Sequence, residues 1–210
     1  MASLQSILRA AKRQGLGGVA ITDHNVILEE LPERETGGVR LIWGEEVLTT
    51  EGEIIGLFLS RPILPGRSPG ETIAAIREQG GITYLPHPFK TTGNPWGEKT
   101  LMSILPEIDV IEVLNGRLLD HGANRAAARL AGEAGILAGA GSDAHTAWEV
   151  GRAYVEMPDF DGPASFLASL QRGRVMGQPP SRLWRLLMNR FTRKGLRQIA
   201  LGWQKWHQAP

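Results

Sequence analysis

Short apolar runs of strand length alternate with amphipathic stretches of helical spacing along most of this chain. That beat restricts it to an α/β architecture, and at the level of sequence it argues for successive parallel βα units. A helix is expected over about 3–14, where Leu4, Ile7, Leu8 and Ala11 share one face. Strands are expected near 18–22, 39–43, 53–59, 82–85, 109–113, 136–140 and 152–157. Helices are expected from the Ser68-Pro69-Gly70-Glu71 capping box to about 79, near 97–105, over the alanine-rich stretch 120–134, and near 164–172. At 210 residues the chain can bury one core without disulfide staples, and it has no cysteine to make them. The lack of cysteine also removes thiolate metal sites and fits a cytoplasmic location. The apolar run 54–59 is far too short to cross a bilayer, and no N-terminal apolar stretch resembles a signal peptide, since Leu4, Ile7, Leu8 and Ala11 are spaced for a helix face.

Chemistry-bearing side chains cluster where these strands end. Asp23 and His24 follow the first, Glu45 and Glu46 the second, and His87 the strand at 82–85. Asn115 and Arg117 follow the strand at 109–113, and Asp143 and His145 follow 136–140. In parallel α/β folds the C-terminal strand ends open on one face, so these segments deliver carboxylates and imidazoles to a shared rim. Each residue alone has a plainer reading: a histidine after a strand as a hydrogen-bonded loop residue, a Glu-Glu pair as a solvated surface. Jointly they point to a metal site. His121, at a helix start, and His207, in the tail, read as structural.

The segments "AITDHN", "WGEEVLTTEGEIIGLFL", "YLPHPF", "IEVLNGR" and "AGSDAH" stand in the order found in the PHP (polymerase and histidinol phosphatase) family, which the chain resembles from residue 4 to about 157. The resemblance implies a PHP-type distorted (β/α)7 barrel over residues 1–180, and a small stand-alone phosphoesterase. It implies that Glu46 bridges two metals, that His87 and Glu53 serve one of them and Asp143 the other, and that His24 and His145 serve a third. Asp23 would support the ligands rather than bind directly. Glu46, Asp143 and His145 would carry catalysis, with Arg117, Lys90 and Asn115 holding substrate. The family's opening strand, with its His-x-His pair and a further histidine, has no counterpart in this sequence. The resemblance therefore implies a barrel lacking its first strand and fewer than the two or three ions of a complete member. From this we expect an upstream strand in the biological protein, with the 210-residue chain marginally stable, weakly active and prone to pair its open edge.

The implied activity is hydrolysis of a phosphate ester (a nucleotide, a nucleic-acid end or a small phosphomonoester) by water activated on manganese, zinc or iron. Alternatives are a histidinol-phosphatase-like enzyme, a catalytically impaired binding module and, more weakly, a metal amidohydrolase. Residues 181–210 form a basic, tryptophan-rich tail, carrying Arg182, Arg185, Arg190, Arg193, Lys194, Arg197 and Lys205 with no acid. Its apolar spacing suits a helix packed on the body, and its charge would also suit contact with nucleic acid or an anionic membrane.

Overall fold

The computed structural model describes residues 3–27 and 35–177. The expected tail helix and His207 lie outside them. The elements run α1 (Leu4–Arg13), β1 (Gly18–Ile21), β2 (Glu35–Thr36), β3 (Val39–Leu48), β4 (Glu53–Leu57), α2 (Pro69–Arg77), β5 (Ile82–Leu85), α3 (Glu98–Ile104), β6 (Val110–Asn115), α4 (His121–Ala134), β7 (Leu137–Gly141), β8 (Ala153–Glu156), α5 (Pro163–Leu170) and β9 (Arg174–Gly177). A 3-10 turn, Leu105–Glu107, continues α3.

Local chemistry sets the helix ends. Ser3 accepts the Ser6 N–H at the start of α1, and Lys12 and Arg13 face the negative end of its dipole. The Ser68–Glu71 capping box opens α2 as expected, with the Ser68 N–H donating to Glu71 Oε2 at 2.9 Å. Asp120 caps α4, and Gly135 ends it in the left-handed conformation.

The sheet is mixed, not uniformly parallel. Its order is β1-β3-β4-β5-β6-β7, with β2 pairing β3. β1 and β3 are parallel, as are β5 with β6 and β6 with β7; β4 runs antiparallel to both β3 and β5. The expected parallel β4 is corrected by its connection. Residues 49–52 make a tight return, whereas a parallel crossover needs a dozen residues or more. β8 and β9 form a separate antiparallel pair, of which the β9 half was not expected from the sequence. The result is a mixed α/β fold with a curled, half-barrel sheet. Among the described residues β1 and β7 are its two ends.

Strand alternation divides the core between the two faces. Leu41, Trp43, Val47, Ile54, Leu85 and Ile111 pack with buried residues of α1 to α4. Ile42, Ile55, Leu57, Ile82, Tyr84 and Val110 pack with Phe166 and Leu170 of α5. Along this second face the same period-two register continues past the apolar layer to Glu46, Glu53 and Glu112, so one sheet surface passes from core to carboxylates.

Candidate metal centre

The reversal of β4 assembles the first group. Glu46 lies in the second half of β3, and its register partner is Ile55; Glu53 opens the antiparallel β4 and so reaches the rim where the parallel strands end. His24 joins through a parallel bridge to Glu46, stabilised by the Asn25 N–H to the Glu46 carbonyl at 3.0 Å and the Glu46 N–H to the Asp23 carbonyl at 3.1 Å. His24, Glu46 and Glu53 each offer one ligand-type atom, all within 4.8 Å of one another.

His87 meets this group from β5. Its Nε2 is 3.2 Å from Glu46 Oε1 and 3.7 Å from Glu53 Oε2. The first contact lacks hydrogen-bond geometry, so Glu46 Oε1 is buried without a hydrogen-bond donor. On the other oxygen, His24 Nδ1 stands 3.3 Å away. Burial works to raise the Glu46 pKa, but the His87 ring, His24 and Lys90 outweigh it and hold the carboxyl below its ordinary range. For His87, burial opposes the charge, yet Glu46 and Glu112 outweigh it and raise the imidazole. Lys90 is spent in part on Glu53, with Nζ 3.4 Å from Oε2.

A second group forms where β6 and β7 end. His145 Nδ1 lies 3.1 Å from the Asp143 carbonyl and 3.4 Å from Asp143 Oδ1. A carbonyl can only accept, which places the ring proton on Nδ1 and leaves Nε2 with a lone pair. The His145 ring is 6.2 Å from that of His24, centroid to centroid. Buried Glu149 folds the connecting loop, its Oε2 accepting from the His145 and Thr146 N–H groups at 2.9 Å. Its other oxygen stands 3.9 Å from Arg117 Nη1, a buried nitrogen with no hydrogen-bond partner.

Glu45 and Glu46 do not form a solvated pair, the plainer reading of two adjacent glutamates. Both are buried, and they point to opposite faces. Glu45 Oε2 accepts the Ile63 N–H at 2.8 Å, and burial raises its pKa. Asn115, expected to touch substrate, is instead consumed internally. Its oxygen accepts from the Arg117 and Leu118 N–H groups at 2.9 Å, and Nδ2 reaches Glu112 at 2.9 Å and Asp143 at 3.4 Å. Those contacts exhaust an asparagine's capacity. Sequence reasoning passed over Glu112, which is buried among apolar neighbours on β6. Burial, with Asp143, raises it to about 7 against the lowering influence of His87 and Asn115.

The donor set is nitrogen and oxygen only, as suits manganese, zinc or iron(II). Comparison with known proteins bears on this geometry. Residues 121–175 match the family described as PHP-associated. The fold is similar to a two-domain protein from Bacteroides vulgatus containing a predicted PHP-like metal-dependent phosphoesterase, at TM-score 0.60 and 16% identity, over 84% of this chain and 61% of that one. The family match and this neighbour make the chain similar to PHP-domain proteins. The fold is also similar to that of PsfC from Pseudomonas syringae, at TM-score 0.67 and 18% identity, covering 91% of this chain and 89% of PsfC. In sequence, 114 residues are 43% identical to an uncharacterised protein of Methanocaldococcus jannaschii, covering 53% of this chain and 65% of that relative. The chain thus spans a little under two thirds of the relative's length. No helix among the described residues is long and apolar enough to cross a membrane.

Proposed function

We propose that this chain is a metal-dependent phosphoesterase whose substrate is a nucleotide, an oligonucleotide end or a small phosphomonoester, and that its curled sheet belongs to a PHP-type (β/α)7 barrel. The observation that carries the reading is the convergence of His24, Glu46 and Glu53 within 4.8 Å, with a buried Glu46 oxygen lacking a donor. An orphaned buried carboxylate oxygen is costly unless a cation meets it. His24, Glu46, Glu53 and His87 would hold one ion, and Asp143 and His145 would complete a neighbouring position. Bound there, a divalent cation supplies neutralisation of phosphoryl charge and a water whose pKa is brought near about 7.

The protein's own groups then have distinct tasks. His145, with its proton on Nδ1 toward the Asp143 carbonyl, presents the Nε2 lone pair as its donor to that neighbouring position. Arg117 presents a planar fork suited to two phosphoryl oxygens, and Glu149 steadies it from behind. Lys90, drawn to Glu53, adds positive charge at the opposite side.

The test is a panel of p-nitrophenyl phosphate, a nucleoside monophosphate and a short oligonucleotide, with an amide substrate as control, assayed on the full chain with manganese. Phosphate-ester turnover should appear, vanish with chelator and be abolished by Glu46→Ala. Chelator-resistant turnover, or a Glu46→Ala chain as active as its parent, would contradict the proposal.

A further inference from the structure

Two residues at the end of β6 do more than line the rim. In a regular strand, positions three apart face opposite ways. Glu112 and Asn115 nevertheless bond to one another, because β6 carries a bulge: Glu112 pairs with Gly139 and Leu114 with Ala140, so Val113 is extra. The bulge turns Asn115 onto the carboxylate-bearing face. It also leaves Glu112 Oε2 with two donors, Asn115 Nδ2 and the His87 backbone N–H, each at 2.9 Å.

The bond from His87 ties the segment after β5 to β6, and the bond from Asn115 braces the bulge within β6. His87 has φ of 27° and Asp143 has φ of 47°, left-handed values that a side chain of either type seldom adopts unless the surroundings hold it. Glu112 grips the first through its N–H, and Asn115 Nδ2 reaches the Asp143 carboxylate. Asn115 is itself clamped to α4: its N–H donates to Asn124 Oδ1 at 3.1 Å, and Asn124 Nδ2 donates back to its carbonyl at 3.3 Å. Room for the carboxyl is provided by Gly141, where a Cβ would collide with Glu112 Oε1.

We infer that Glu112 and Asn115 are a positioning pair that fixes His87, just after β5, and Asp143, just after β7, relative to each other, setting the donor geometry of the metal centre by hydrogen bonding alone. The inference deepens the metal-centre reading and rests on it. Hydrogen-bond acceptance at Glu112 and donation at Asn115 are the required properties; Glu112→Gln separates the first from charge, and Asn115→Asp removes the second while keeping shape. In Glu112→Gln the amide oxygen can accept both bonds while the NH2 occupies the place of Oε1. In Asn115→Asp the bonds from Arg117 and Leu118 survive, but the donor toward Glu112 and Asp143 is gone.

The experiment is calorimetric titration of manganese alone into the full chain and its variants, with circular dichroism confirming the fold. Glu112→Gln should bind within a few-fold of wild type, while Asn115→Asp and Glu112→Ala should weaken binding by about 10–100-fold, the usual cost of losing a ligand's supporting bond. If Glu112→Gln loses as much as Glu112→Ala, the carboxylate itself is needed and the pair is not a hydrogen-bonding device. If Asn115→Asp, still folded, binds manganese as wild type does, the inference fails while the metal centre stands. A wild-type chain that binds no manganese overturns the metal-centre reading and this inference with it.

Discussion

Asn25, His87 and Asp143 adopt left-handed backbone at φ of 53°, 27° and 47°, all on the carboxylate rim. Such conformations cost about 1–3 kcal/mol each and persist only where neighbours impose them. Asn25 is tied by its Oδ1, which accepts the Leu48 N–H at 2.8 Å. Charges concentrated at the same rim make the metal-free chain pH-sensitive. His87 is raised, so its contribution to stability is full below its ordinary 6.5 and is lost as pH climbs through the folded value. Glu46 is lowered, so its contribution is full above 4.5 and is lost as pH falls through the folded value. Glu112, raised to about 7, favours folding while protonated and loses that contribution between 4.5 and about 7. Melting temperatures in chelator should therefore be highest near pH 4.5 and decline as pH rises toward and past about 7. A melting temperature that rises from about pH 6 to about pH 8 without metal would contradict these assignments. His24, Glu46 and His87 were legible because each breaks an apolar run at its end. Glu112 was not, since it stands inside such a run and acquires its partner only through a bulge that sequence does not announce.

At the scale of elements, the β3–β4 hairpin carries two of the three converging donors. Its turn depends on Gly52, which has φ of +73° and lies so close to the Trp96 ring that any Cβ there would overlap it. Gly52→Ala should lose about 1–2 kcal/mol from backbone handedness before the ring is displaced. At about 2–4 °C per kcal/mol for a chain of this size, the melting temperature should drop by at least a few degrees. Manganese affinity should drop with it, since Glu53 follows the turn directly. Unchanged melting and affinity would show that the turn does not set the position of Glu53. The hairpin also explains where sequence reading stopped. "TTEGE" after an apolar strand contains the tight return, but the regular beat of strand and helix suggested one more parallel unit. The α2 capping box, by contrast, is a contiguous four-residue signal and reads directly from sequence.

Across the molecule, the same sheet face that packs Ile42, Ile55, Tyr84 and Val110 against α5 ends in Glu46, Glu53 and Glu112. The order of strand-end motifs makes the class of fold legible, because each motif is local. Curvature and strand order depend on long-range pairing and had to be observed. The central claim is that this rim is a metal centre, and its most direct test is anomalous diffraction from crystals of the full chain grown with manganese. The account predicts a manganese peak among His24, Glu46 and Glu53. Manganese bound elsewhere with that position empty would contradict it.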